Sequence, residues 1–223
     1  EELEKNGIVA TVETVAGSTA PQQGGYFGDG GKATAAGLDT PLDVAVGPDG
    51  SLYIADASNC VIRKVDPAGT ISTLVGVPRG GASNCKQVTH PNATIGRPNA
   101  IALGCDGSLY IASRSWIHAP DETVILRYAP QGYLERYAGG GGNATTPCIG
   151  TVDDGEDPLD YRLCGNGTYG LAVAPSPSCD LYLSAEGHDN YGQGYATVMR
   201  IGADRRLHRV AGSTTQVGYA GDG

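Results

Sequence analysis

Three stretches of this chain follow one plan. "PLDVAVGPDGSLYIADASNCVIRKVDPAGTISTLVG", "RPNAIALGCDGSLYIASRSWIHAPDETVILRYAPQGYLERYAG" and "GLAVAPSPSCDLYLSAEGHDNYGQGYATVMRIGADRRLHRVAG" each read as four short strands in a meander. Strand a is Val44 to Val46, Ile101 to Leu103 and Leu171 to Val173, and strand b is "LYIA", "LYIA" and "LYLS". Between them the turns "GPDG", "GCDG" and "PSPSCD" supply the glycine, proline and aspartate that a hairpin needs. Strand c is "VIRKV", "VILRY" and "TVMRI"; strand d is "TISTLVG", "YLERYAG" and "LHRVAG". A repeat of this kind constrains the fold strongly, because every copy faces the same packing problem.

Strands c and d alternate apolar and polar residues, whereas a and b are nearly continuous apolar runs, as expected for strands buried on both faces. Such sheets cannot cover their own faces and must stack. Four-stranded sheets stacked around an axis are the blades of a β-propeller, so the fold class is all-β. The boundaries read as complete blades over 38–76, 95–139 and 163–212, with the last strand or strands of a preceding blade over 1–17 and the start of another connector over 213–223. The ending "VAGSTTQVGYAGDG" repeats the early "VAGSTAPQQGGYFGDG". A closed ring needs more than three blades. The expectation is a fragment of a longer polypeptide, with completion by neighbouring chains or end-to-end pairing into a filament as alternatives.

The connector "GGYFGDGGKATAAGL" has the glycine density of a phosphate loop but fails its test: Tyr26 stands at the first glycine position and Ala33 where a hydroxyl belongs. Its phase recurs in "GTVDDGEDPLDYRL", with Asp154 and Leu163 in register with Asp29 and Leu38. Both aspartates are expected to be N-caps of a short helical turn packed down by the leucines. The net charge of −9 disfavours nucleic acid. No apolar run is long enough to cross a bilayer as a helix.

The string "GDGGKATAAGLDTPLDVAVGPDGSLYIADASNCVIRKVDPAGTISTLVG" resembles the NHL repeat, particularly the extracellular kind found in bacterial and algal surface proteins and in the propeller of teneurins. The resemblance is strongest from Gly28 to Gly76. Where the family commonly has two asparagines before strand c, this chain reads "DASNC", with Cys60 at the second. The resemblance implies an extracellular binding or structural module.

Cys60, Cys85, Cys105, Cys148, Cys164 and Cys179 form an even set without zinc-site spacing, which favours disulfides and an oxidising compartment. In an up-and-down blade the b-to-c loops and blade connectors share one face, and the a-to-b and c-to-d turns share the other. That topology pairs Cys60 with Cys85 and Cys148 with Cys164, leaving Cys105 with Cys179, a pair that needs Cα atoms within about 7 Å. Sequons at Asn92, Asn143 and Asn166 all fall in connectors, so N-linked glycans are expected and a eukaryotic secreted glycoprotein is the leading reading.

No nucleophile elbow or HExxH motif is present. Glu186, His188 and Asp189 could supply metal ligands, but a polar surface loop explains them as well. The acidic run Asp153 to Asp160 offers oxygen ligands for calcium without EF-hand spacing. No cofactor is expected. Lys64, Arg127 and Arg200 recur at one place in strand c, which suggests pairing across blades. Trp116, Ile117 and His118, with Tyr191 and Tyr195 in the next blade, suggest an aromatic contact edge. The leading function is non-enzymatic: an extracellular or cell-surface propeller for structure or protein contact, with protein partners or further copies of itself, and a homo-polymer or surface filament as its extended form. The alternative is a hydrolase or lyase with an axial metal, for which Asp43 and Asn99 stand at strand entries while Tyr169 and Gly170 interrupt the ring. RNA binding is disfavoured by the charge and the sequons.

Overall fold

The structure, a computed structural model, describes residues 11–18, 25–78, 85, 95–115, 122–140, 154–161, 163–164, 170–188 and 194–213. Its strands are β1 (Pro41–Val46), β2 (Leu52–Asp56), β3 (Val61–Val65), β4 (Ile71–Gly76), β5 (Arg97–Leu103), β6 (Leu109–Ser115), β7 (Glu122–Tyr128), β8 (Leu134–Ala138), β9 (Leu163–Cys164), β10 (Leu171–Val173), β11 (Leu181–His188), β12 (Gly194–Ile201) and β13 (Leu207–Ser213). They form three antiparallel meanders, β1-β2-β3-β4, β5-β6-β7-β8 and β10-β11-β12-β13, each a propeller blade. The architecture is a partial NHL-type β-propeller.

Strand b decides how the blades stack. In blade 1, Tyr53 and Ala55 face blade 2, while Leu52 and Ile54 face the preceding connector. Blade 2 repeats the arrangement: Leu109 and Ile111 pack on blade 1, and Tyr110 and Ala112 on blade 3. Period-two alternation thus gives each face to a different neighbour, which is why this strand has no polar side. Burying an aliphatic side chain such as Ile111 or Leu181 contributes roughly 1.5–3 kcal/mol.

Leu163 and Cys164 do not open the third sheet. As β9 they pair with Thr123 and Glu122 of β7 in blade 2, and Leu163 is fully buried there. Among the described residues, 11–18 take part in no strand ladder; Gly17 and Ser18 donate to the carbonyls of Ala33 and Ala36.

The connector aspartates act differently from the helix caps expected of them. The short 3-10 turn Ala33–Ala35 starts after Lys32, with no side-chain cap. Asp29 accepts instead from the backbone N–H of Thr73 in β4 at 3.1 Å, and Asp154 from that of Arg209 in β13 at 2.9 Å. Gly30 and Gly155 donate in matching fashion to the carbonyls of Ile71 and Leu207, both at 2.8 Å. Each connector is therefore laced to the outer strand of the blade it precedes, where unpaired edge groups need partners.

In blade 1 the lacing centres on Arg63, which is completely buried. Its guanidinium donates to Asp29 at 2.7 Å, to the Gly37 carbonyl at 3.1 Å and to the Phe27 carbonyl at 3.3 Å, with Asp56 at 3.5 Å. Burial pushes the Asp56 carboxyl up from its ordinary range, against the hydrogen bonds from Asn59 and the Asp39 N–H and the charge of Arg63. The corresponding register positions in blades 2 and 3 hold Leu126 and Met199. At the inner edge Asp43 accepts from its neighbour Val44 and from Ile101 of blade 2, both at 2.8 Å, so this proposed axial ligand caps two edge N–H groups.

Replacing Arg63 with methionine, the residue of blade 3, removes a buried cation and leaves the buried Asp56 carboxylate without its counter-charge. We expect a stability loss of about 3 kcal/mol or more in urea unfolding; a loss below about 1 kcal/mol would show that the connector is held by other means.

Candidate functional site

The turns on one face of the sheets repeat closely enough to compare position by position. In the a-to-b turns of blades 1 and 2, Gly50 and Gly107 adopt left-handed backbone at φ 81° and 79°. In their c-to-d turns Gly69 and Gly132 do so at 83° and 87°, each closing its turn by donating to the carbonyl three residues back. Blade 3 puts Cys179 and Arg205 at these two positions, at φ 52° and 57°, and Arg205 closes the same hydrogen bond to Gly202. A left-handed conformation costs a residue with a side chain roughly 1–2 kcal/mol. Both substituted residues face blade 2.

Cys179 is disulfide-bonded to Cys105, with Cα atoms 5.8 Å apart, inside the limit set from the sequence. The bond ties the two neighbouring a-to-b turns together. Cys60 is bonded to Cys85 on the connector face, with Cα atoms 5.4 Å apart. Beside the Cys105–Cys179 bridge a cleft of about 420 Å³ opens between blades 2 and 3. Its floor is Tyr110, Tyr137 and Ile201; the tyrosine rings meet edge to face at 4.8 Å, a favoured aromatic geometry. Burial, then the neighbouring Tyr137, pushes the Tyr110 phenol well above its ordinary value, so it remains a neutral hydroxyl. The Arg205 guanidinium lies 4.2 Å from the centroid of the Tyr137 ring.

The surrounding charges are paired within blades, so the cross-blade pairing expected of the strand c cations is replaced by contacts to their own turns. Arg127 binds Asp106 at 2.7 Å and Glu135 at 2.8 Å, and Arg200 binds Asp180 at 3.1 Å. Lys64 lies over Tyr53 at 5.5 Å. Burial raises Asp106, but hydrogen bonds from Arg127 and Ser108 outweigh it and hold the carboxyl below its usual range. His208 bridges Asp204 at 2.8 Å and Asp154 at 3.4 Å. Among the described residues Arg205 has no carboxylate partner.

Apart from Cys105 and Cys179, the residues singled out from the sequence lie elsewhere or outside the described residues. Asn92, Asn143, Asn166, Cys148, Trp116, Ile117, His118, Asp189 and Tyr191 fall outside the described residues. Glu186 and His188 end β11, and Tyr195 lies in β12 opposite Gly187. Among the described residues no group of three or more histidine, cysteine, aspartate or glutamate side chains forms a metal cluster. The cleft was missed because its residues come from three turns and three strands. The usable signal was the loss of glycine from both turns of the third repeat.

His208 supplies a pH test. Hydrogen bonding to Asp204, against some desolvation, raises its pKa, with Asp154 adding to the rise. A raised histidine stabilises the fold fully below its unfolded value, about 6.5, and that contribution is lost as pH rises through the folded value. The wild type should therefore exceed His208→Gln in stability at pH 6, with the gap narrowing by pH 8. A gap that stays constant or widens in urea titrations would show that the bridge does not couple to folding.

Residues 1–89 match the sequence profile of the teneurin NHL domain. The chain is 38% identical over 107 residues to teneurin-3 of Danio rerio, covering 47% of this chain and 3% of that protein. It is 40% identical over 140 residues to teneurin-4 of Homo sapiens, covering 59% and 5%. Teneurin-m of Drosophila melanogaster aligns at 26% over 223 residues, covering 92% and 7%. The chain thus spans a small fraction of the length of these relatives. A structural genomics protein of unknown function from Bacteroides thetaiotaomicron superposes with a TM-score of 0.43 at 17% identity, over 73% of this chain and 33% of that one. A streptogramin B lyase gives 0.36 at 16%, over 81% and 55%. These structural likenesses are too slight to bear on activity. The sequence repeat and the three four-stranded blades make the chain a β-propeller segment, and its residues 1–89 are similar to the teneurin NHL domain.

Proposed function

We propose that this chain is a non-enzymatic extracellular propeller segment whose role is structural support and protein contact, carried out at a cell surface or within a surface filament. The match of residues 1–89 to the teneurin NHL domain carries the reading. Two disulfides support an oxidising compartment, where such bonds persist. The polar side chains of the blade faces support it in another way. Asp29, Asp106, Asp154 and Asp180 are engaged in joining strands and turns, and Asp43 caps backbone at the inner edge. Those carboxylates are thereby committed to the scaffold. In this reading Asn92, Asn143 and Asn166 carry N-linked glycans, and Trp116, Ile117, His118, Tyr191 and Tyr195 form the contact edge.

Production through a eukaryotic secretory pathway tests the proposal. The expected product is a released, oxidised chain whose mass falls on glycosidase treatment at the three sequons, with no turnover of lactone or cyclic depsipeptide substrates in the presence of calcium or magnesium. Sedimentation and binding to a panel of purified extracellular domains, the chain itself included, then reads contact. Metal-dependent turnover, or a reduced and unglycosylated product that folds only in the cytosol, would overturn the reading.

A further inference from the structure

We propose that the cleft between blades 2 and 3 is a carboxylate-binding site, with Arg205 as the anion-binding residue and Tyr110, Tyr137 and Ile201 as the floor for an apolar body. Its starting point is a local rule broken twice. Blades 1 and 2 use glycine at the left-handed position of both turns, and blade 3 uses Cys179 and Arg205. Strain of this kind concentrates where a side chain is wanted for its own sake. One of the two side chains makes the disulfide to blade 2, and the other lines the cleft beside it.

Arg205 is not needed as a second staple. The disulfide already joins the blades covalently, and an apolar cluster running from Tyr110 and Ala112 to Leu181 and Ile201 packs beneath it. The contact with Tyr137 is to the ring and uses no hydrogen-bond acceptor, and a guanidinium presents N–H pairs suited to receiving two oxygens at once. The acids nearest the cleft each have a cation: Asp106 has Arg127, Asp180 has Arg200 and Asp204 has His208. Among the described residues Arg205 is thus a cleft-lining cation without a carboxylate partner, and it faces a volume in the range of small-ligand sites.

A single planar cation among several carboxylates suits a planar monoanion. A phosphate dianion would sit close to Asp106 and Asp204 with one arginine to offset it. The ligand is thus a carboxylate attached to an aliphatic or aromatic group, either an acidic side chain on a protein segment or a free organic acid. This inference stands apart from the protein-contact reading, because the second source would leave that reading to its own test.

The test uses the full chain with its disulfides intact and follows tyrosine ring resonances during titration. The probes are 3-phenylpropionate with its amide, and the peptide Ac-Ala-Leu-Glu-Leu-Ala-amide with its glutamine counterpart. At least one carboxylate should shift the Tyr110 and Tyr137 signals, bind about tenfold or more tightly than its neutral partner, and weaken with added salt. Arg205→Gly should lower that affinity by about tenfold or more while melting at the same temperature or higher, since glycine relieves the left-handed strain. Arg206→Ala, a change at the exposed neighbour, should leave binding unchanged. Binding of the peptide identifies a protein-borne carboxylate, and binding of 3-phenylpropionate alone identifies a free acid. Absence of binding by both carboxylates, equal binding of acid and amide, or full binding by Arg205→Gly would overturn the proposal.

Discussion

A four-stranded sheet that is apolar on both faces has to be covered twice, and everything in this molecule follows from that requirement. The effect of a neighbour is visible at matched positions. Ile101 of blade 2 is 3% exposed against blade 1, whereas Val44 at the same register in blade 1 is 61% exposed. On the opposite faces, Ile125 is fully buried between blades 2 and 3, and its counterpart Val198 in blade 3 is 36% exposed. The residues are chemically equivalent, so the neighbouring sheet sets the burial. Blade 2 alone among the three has a blade on each side, so its strand b is packed between two sheets, whereas that of blade 1 is covered on one face by a connector.

Stacking leaves the outer and inner edges with unpaired backbone, and the polar residues of the repeat address that second problem. Asp29 and Asp154 take outer-strand N–H groups from Thr73 and Arg209, and Asp43 takes inner-edge groups from Val44 and Ile101. Buried in blade 1, Arg63 would be costly without compensation, but two carboxylates and two carbonyls converge on it. Asp29 is the joint between the two systems. Burial tends to raise its carboxyl, yet hydrogen bonds from Thr73 and Tyr26 and the Arg63 charge hold it below the ordinary carboxylate range. Its ionised form is therefore built into the way the connector is fastened.

The meanders were legible in the sequence because strand length, alternation and turn chemistry all pointed one way: "LYIA" returned as β2 and β6, and "VIRKV" as β3. The Cys60–Cys85 bond was legible from face assignment, and the Cys105–Cys179 bond as the pair that assignment left over. The role of Asp29 was not, since an aspartate before a short turn is ordinarily a cap, and its true partner lies 44 residues away in β4. The cations of strand c were misjudged for a related reason. Register puts Arg127 opposite Tyr110, but its partner Asp106 belongs to the turn that precedes that strand, and the short distance appears only once the hairpin closes. Arg205 left a mark in the sequence, an arginine where two other repeats have glycine, whose meaning depends on Tyr137 in the neighbouring blade.

The joins between blades are not interchangeable. Between blades 1 and 2 the contact is aliphatic, through Ile62, Val75, Ile101 and Leu126. Between blades 2 and 3, Tyr137 stands at the position that Leu74 holds in blade 1, and the disulfide crosses above it. A covalent tie at the rim fixes the spacing of the two turn sets and limits how far the cleft can widen. Arg205 is fixed in turn, by a closed hydrogen-bonded turn beneath its backbone and an aromatic ring beneath its guanidinium. A flexible arginine on an exposed turn would lose conformational freedom on meeting a ligand, whereas this one has been largely ordered by folding. The strain at two turn positions and the departure from the glycine rule thus have one physical outcome, a rigid cationic rim at the cross-linked junction of blades 2 and 3.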